Sequence, residues 1–378
     1  MPFFRGTLTA LKQQVPEEVS PMKEQPISLK FCLIPLLASL PLTSAVAHHS
    51  RAMFDIDNTI EIEGVVSLVR WRSPHVYWGV EITNAQGETE EWMIEGHSIS
   101  GLMGNGWQPD SVQTGDHVRV IINPSRDESR HFGLLDYFRH DDGRIFYSFR
   151  PPEGTQARER VENTAPITPS TDFSGTWIRT RQGTAEESLR SALVGNFDAP
   201  DPSSLTPIGQ ALVANFDLND DPYLDCVPLG VPRIIAWPYA HRWSREDNRL
   251  ILEKEQSPQV RVVYFDQEEP PADYVPSELG YSTGRILDNG TLQITTQHFA
   301  ATKWGTIRGL DSSEQKTVVE EYTLADDGLS MRYVFTVSDP IYLTEPLMTS
   351  GAYRKTEDHA FTTEQCDIET SRQHLQFE

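Results

Sequence analysis

Apolar positions in this chain fall into one unbroken run and many short alternating stretches. The unbroken run is residues 31–45, FCLIPLLASLPLTSA. The later stretches alternate apolar and polar positions, the period of a half-buried strand. They predict strands over 60–70, 76–82, 90–94, 117–122, 132–137 and 144–149. Asn84-Ala85-Gln86-Gly87, Thr114-Gly115-Asp116 and Asp141-Asp142-Gly143 supply the turns. A single helical turn is expected at 98–103. Five or six short strands around one short helix fit a small barrel of the oligonucleotide/oligosaccharide-binding (OB) type. Residues 151–171 (PPEGTQARERVENTAPITPST) lose the alternation and read as a linker.

Alternation resumes after the linker. Strands are expected at 175–180, 239–244, 249–255, 259–265, 284–287, 291–296, 317–324, 329–337 and 349–355. Tight polar turns such as Asp288-Asn289-Gly290 and Ala325-Asp326-Asp327-Gly328 join several of them. Consecutive hairpin-linked strands of this number argue an up-and-down β-barrel, which removes sheet edges and can hold one small ligand. Residues 181–232 interrupt the pattern with Pro- and Asp-rich chain and one helix near 207–216. An insert of this length is expected to lie across the barrel mouth.

The unbroken run belongs to a different category. Lys23 and Lys30 precede it, and Ala45-Val46-Ala47 places small residues at −3 and −1 of a cut after Ala47. These are the parts of a secretory signal peptide, with Met22 as the natural start. At 15 letters the run is shorter than the about 20 residues that a spanning helix needs. The expected organisation is therefore all-β. A signal peptide occupies 1–47, an OB-like domain 48–150, the linker 151–171, a lipocalin-like barrel 172–356 and a polar tail 357–378. Export places the mature protein in the periplasm or outside the cell, with no membrane insertion after cleavage.

Charge narrows the partners. The whole chain carries −23, and the part after Ala47 carries −24, from 28 basic and 52 acidic residues. Such a surface repels phosphate backbones and sets nucleic acid aside as a partner. Cys226 and Cys366 remain after cleavage. In an oxidising compartment the two thiols form a disulfide or stay apart as a buried thiol and a tail thiol. A bridge would close a long loop and stabilise the fold by roughly 4–5 kcal/mol in the chain-entropy model.

Motifs in order along the first domain carry a resemblance. They are His48-His49-Ser50, Met53-Phe54-Asp55, Gly64-Val65-Val66, Trp71, Ser73-Pro74-His75, Trp92-Met93-Ile94-Glu95, Gly106-Trp107 and Gly115-Asp116. Residues 47–150 resemble a family of small exported bacterial domains of unknown function, the DUF6152 type, with Ser73 where that family has Asn before Pro-His. The second domain, opening on Asp172-Phe173-Ser174-Gly175-Thr176-Trp177, resembles lipocalin-like barrels that accompany such domains. Neither resemblance implies a reaction.

Chemistry is concentrated at the mature N-terminus. A cut after Ala47 gives His48 a free α-amine beside its imidazole, with His49 next to it. Amine and neutral imidazole nitrogens suit Cu(II) and, less selectively, Zn or Ni. The His48 amine and ring with one further histidine ring, His75 being the candidate, would complete a three-nitrogen copper brace, and His48, His49 and His75 are the expected metal residues. Seven of the eleven histidines precede the linker. Glu95 and His97 are weaker additional ligands, more simply read as a solvated strand end. In the second barrel, Arg233, Tyr239, His241, Trp243, Arg261, Tyr281, Arg285 and His298 are the residues expected to line a ligand cavity, with the arginines suited to a carboxylate. Packing of the barrel core is the competing reading for the aromatic ones. The chain contains no G-x-S-x-G elbow, P-loop, G-x-G-x-x-G, H-E-x-x-H or C-x-x-C. An exported binding protein is thus the first reading. The alternative is an enzyme, metal-assisted or cofactor-free, acting on an apolar or aromatic small molecule inside the second barrel. No catalytic residue is assigned.

Overall fold

A computed structural model of the chain describes residues 53–154, 167–180, 201–237, 239–257, 259–357, 359, 361–362 and 366–373. His48, His49 and the whole leader lie outside these residues. Among the described residues no helix is long and apolar enough to cross a membrane.

The first barrel comprises β1 (Ile60–Arg70), β2 (Tyr77–Thr83), β3 (Thr89–Glu95), the helix α1 (Ile99–Gly104), β4 (His117–Pro124), β5 (Phe132–His140) and β6 (Ile145–Tyr147). β1 pairs with β4 through its first half and with β2 through its second. β3 pairs with β2 and, in parallel, with the start of β5. β4 with β5 completes a five-stranded closed circuit, and β6 is added on the far end of β5. This circuit, with a helix between its third and fourth strands, is the OB arrangement that the pattern predicts. Gly64 stands where β1 passes from one partner to the other. A Cβ there would lie 2.2 Å from the carbonyl oxygen of Glu81, so the close approach requires glycine. Trp78, Trp107 and Phe138 fill the interior, with Trp78 5.2 Å from each of the others. The Trp107 indole N–H donates to the carbonyl of Tyr147, 2.7 Å away, which is how a buried indole keeps its partner.

The second barrel is a nine-stranded closed sheet. Its strands are β7 (Gly175–Thr180), β8 (His241–Glu246), β9 (Arg249–Lys254), β10 (Val260–Tyr264), β11 (Tyr281–Ile286), β12 (Leu292–Gln297), β15 (Thr317–Leu324), β16 (Ser330–Ser338) and β17 (Leu347–Thr356). Between β12 and β15, β13 (Thr302–Ile307) and β14 (Leu310–Ser312) form a separate hairpin. Every neighbouring pair in the barrel is antiparallel except β10 and β11. Parity explains the exception. An odd number of strands in sequential order cannot alternate all the way round, so one seam must be parallel. The chain between β10 and β11 is accordingly a long connection, as a parallel pair demands.

Alternation sorts the side chains. On β16, Met331, Tyr333, Phe335 and Val337 are buried, while the residues between them are more exposed. They join Trp177, Trp243, Leu250, Ile294, Val318, Tyr322 and Tyr353 in one core. The short helix Arg233–Ala236 contributes Ile234, Ile235 and Ala236 to the same core, and the β13–β14 hairpin contributes Ile307 and Leu310. The helix Pro207–Ala214, capped by the Thr206 side chain on the Gly209 N–H, lies within the expected insert. Two residues within the expected linker contact the second barrel. Thr168 and Ser170 already bond to the second barrel, Ser170 through its N–H to the carbonyl of Gly328.

The tail is also more than a polar end. Cys366 is bonded to Cys226, and Cys366 forms a parallel bridge with Ser73 of the first barrel. The Asp367 N–H donates to the Ser73 carbonyl at 3.1 Å. Arg70 of β1 binds Glu369 and Gln373, and Arg372 binds Asp225 at 2.6 Å. Residues 366–373 therefore strap the β1–β2 loop of one barrel to the disulfide of the other.

Candidate functional site

Each histidine of the first barrel has its own surroundings. His117 lies between Glu63 and Asp141, at 3.8 and 3.3 Å, on the surface. His131 stacks on Trp92. His97 accepts from the Ser98 N–H through Nδ1 at 2.7 Å and packs on Phe149. His140 packs edge-on against Phe146. His75 is different because a buried acid holds it. Its Nδ1 meets the carboxylate of Glu95, and Glu95 is only 8% exposed.

The strand register builds this contact. Tyr77 opens β2 and pairs directly with Glu95, the last residue of β3. The Val76 N–H to His97 carbonyl bond and the Gly96 N–H to Val76 carbonyl bond extend the ladder past both strand ends. His75, two residues before Tyr77, thus reaches back over Glu95. The Tyr77 hydroxyl also donates to Glu95, and burial first, then the charge of Glu95, pushes this phenol well above its usual range. With the carboxylate accepting from Nδ1–H, the lone pair of the His75 ring sits on Nε2. A carboxylate behind a histidine in this way is the usual support of a metal-bound imidazole. Among the described residues no three His, Cys, Asp or Glu side chains are grouped to hold a metal. A complete site would need His48 and His49, which lie outside the described residues.

The eight residues expected to line the second barrel do not share one cavity. His241, Trp243 and Arg261 face the interior. Arg261 is fully engaged there: its guanidinium donates to Ser282 at 2.9 Å, to Thr296 at 2.7 Å and to both oxygens of Glu320. Tyr322 donates to the same carboxylate at 2.7 Å. This pair is closed, so Arg261 offers no grip for a ligand carboxylate. Arg233 is closed likewise by a two-pronged bond to Asp221, at 3.2 and 2.7 Å. Tyr239 stands at the barrel end beside Trp237.

Arg285 and His298 lie exposed on the outside, and Tyr281 is buried, 5% exposed, on the outer face of the barrel against Tyr264 and Tyr274, a correction to the sequence expectation that all three line one cavity. Ser282 points inward to Arg261, so its neighbour Tyr281 points outward, where it stacks on Tyr264. Arg285 is exposed and bonds Gln293 at 2.8 Å. His298 approaches Glu269 at 3.7 Å on the surface.

Two interior residues escaped the sequence reading. Lys254 lies opposite His241 in the β8–β9 register. Its ammonium reaches the carbonyls of Trp237 and Tyr239 and the Nε2 of His241. Burial pulls Lys254 well below the ordinary lysine range, and burial followed by the Lys254 charge pulls His241 well below its own. Leu250 and Leu252 precede Lys254 at period two and are both buried, a phase that was available in the sequence. Tyr77 was the other omission, and its signal was pairing register, which the sequence does not display.

The fold and this site define an all-β protein of two barrels, the first an OB-type barrel with a carboxylate-backed histidine in its first connecting loop. Residues 36–134 match the family of unknown function DUF6152. The match covers His75 in the β1–β2 loop and the strands that carry Tyr77 and Glu95, and leaves the second barrel outside it. No curated protein matches the chain.

Proposed function

We propose that the protein is exported and binds a copper-type metal ion on its first barrel. His75 is the fixed ligand, and the amine and imidazole of His48 with the ring of His49 supply the rest once the chain is cut after Ala47. The observation that carries this reading is the Tyr77–Glu95–His75 chain, a buried acid that orients one imidazole in the β1–β2 loop. Loops at this position are used for binding in OB barrels. Among divalent ions, nitrogen ligands favour copper by affinity. The lipocalin-like reading of the second barrel rests on Gly175-x-Trp177, whose indole donates to Phe173 at 2.9 Å, and we place small-ligand binding at the end of that barrel.

The test is Cu(II) titration of the mature protein against a competing chelator. His75→Ala should abolish tight binding. Glu95→Gln should weaken it by about 10–100-fold, the usual effect of removing such a support. Unchanged affinity in both variants would refute the proposal.

A further inference from the structure

The β13–β14 hairpin turns at Arg308-Gly309, at the end of the second barrel that the short helix Arg233–Ala236 closes. Gly309 holds a φ of 79°, and a Cβ there would lie 2.6 Å from the ring of Phe216. The half-buried Phe216 therefore packs directly on the turn. Its other contact is Trp304 of β13, edge-on, with centroids 5.7 Å apart. The turn is anchored, and with it the base of the Arg308 side chain.

The charges at this turn do not balance. The Asp221 carboxylate takes both prongs of Arg233, at 3.2 and 2.7 Å, and the Tyr223 N–H at 3.1 Å. The side chains of Arg233 and Asp221 are only 7% and 6% exposed. Arg308 reaches the same carboxylate through Nε alone, at 3.5 Å, beyond the roughly 2.7–3.2 Å of an N–H···O bond. Among the described residues its guanidinium makes no hydrogen bond and meets no second acid, although the side chain is only 26% exposed. Burial pulls Arg308 below the ordinary arginine range; Asp221 counters the fall and Arg233 adds to it. Two guanidiniums thus share one carboxylate, which leaves one positive charge unmatched and both terminal nitrogens of Arg308 unengaged. A charge covered to this degree is costly unless it is paired. In a chain of net charge −23, a covered cation without its own acid calls for an explanation.

Count and shape decide what would answer it. The unmatched charge is single, so a monoanion neutralises it, whereas a dianion would leave a negative charge uncovered. A guanidinium presents parallel N–H groups that fit the two oxygens of a carboxylate. We propose that Arg308, with the Arg233–Asp221 pair behind it, binds a small monocarboxylate at the closed end of the second barrel. The ring of Phe216 offers the apolar part of such a ligand a contact. The proposal gives a chemical class to the small-ligand reading of that barrel and rests on it; the metal site is not involved.

The test uses the full mature protein with its disulfide intact and benzoate as probe. Benzamide is the neutral counterpart, and phenyl phosphate at about pH 8 the doubly charged one. Saturation-transfer NMR reads affinity. Benzoate should bind saturably, roughly tenfold or more tighter than either counterpart. Arg308→Gln should weaken benzoate by roughly tenfold or more, the loss expected for a charged two-pronged bond. Arg285→Gln, at an exposed arginine that Gln293 holds on the outside of the same barrel, should leave it unchanged. Without benzoate, Arg308→Gln should melt no lower than the unaltered protein, since it removes an unmatched charge. Absence of saturable benzoate binding, equal or tighter binding of either counterpart, or equal loss in the two variants would overturn the proposal. A marked fall in the melting temperature of Arg308→Gln would overturn it too, by showing that Arg308 serves Asp221 as a structural partner. Benzamide binding that Arg308→Gln leaves unaltered would sink the carboxylate assignment while the small-ligand reading stands.

Discussion

Buried charge in this protein is resolved residue by residue, and the resolution separates structural groups from candidate ligands. Arg261 and Glu320 are 5% and 0% exposed and hold each other with two bonds. Breaking such a pair on one side strands the other charge, so Glu320→Leu should destabilise the fold by about 3–5 kcal/mol. Replacing Arg261 and Glu320 together with Met and Leu should cost much less, because no charge is then stranded. Urea denaturation of the single and double variants checks both statements. The same logic shows why Arg261 and Arg233 looked like ligand residues in the sequence. Residue type announces a buried cation, but the identity of its partner depends on a strand 59 residues away for Arg261. Arg285 and His298 went outward for a related reason: a strand's alternation is legible, but which of its two phases faces inward is set by neighbours.

At the scale of elements, the pattern of alternation and turns placed most strands within a few residues, since each hairpin carries its own turn signal. β13 and β14 were not expected. Trp304 to Ile307 are buried without alternation, because this hairpin is covered on both faces where it closes the barrel end. The parallel seam was also illegible, as it follows from the number of strands in the closed circle and from no local feature. Lys316 secures that closed end. Its ammonium donates to the carbonyls of Val231 and Gly305 at 2.7 and 3.0 Å and to the Ser312 hydroxyl at 3.1 Å, with the Phe299 ring 4.1 Å away. Burial nevertheless pulls it down to about 7. Between about pH 7 and pH 10 the unfolded chain then holds a proton that the folded chain has released, so stability from this group rises with pH across that window. Lys316→Met should reduce the rise and leave the part that the buried Lys254 contributes in the same direction. Above about pH 10 the slope should reverse in both proteins, because Tyr77, Tyr322 and Tyr353 keep their protons when folded and lose them when unfolded. Thermal melts over pH 6–11 read both effects.

The whole molecule is organised by the strap at 366–373. The Cys226–Cys366 bridge closes a separation of 140 residues, which in the chain-entropy model stabilises by about 5 kcal/mol. The sequence left open whether Cys226 and Cys366 pair and so whether the tail is tied back. The strap joins the disulfide to Ser73, two residues from His75. Cys226→Ser with Cys366→Ser should therefore lower the melting temperature and raise hydrogen exchange at the Asp367 N–H. It should also weaken metal binding, by releasing the loop that carries His75. A variant that loses stability with unaltered exchange at Asp367 would show that the strap does not depend on the bridge.

The proposed metal site combines the His75 imidazole, backed by the buried Glu95, with the His48 and His49 ligands that a cut after Ala47 would supply. Electron paramagnetic resonance of Cu(II)-titrated protein starting at His48, beside a sample with one extra N-terminal residue, tests it most directly. A stoichiometric, nitrogen-rich Cu(II) signal is expected in the first sample and is expected to be lost in the second. The same signal in both samples, or no stoichiometric binding in either, would contradict it.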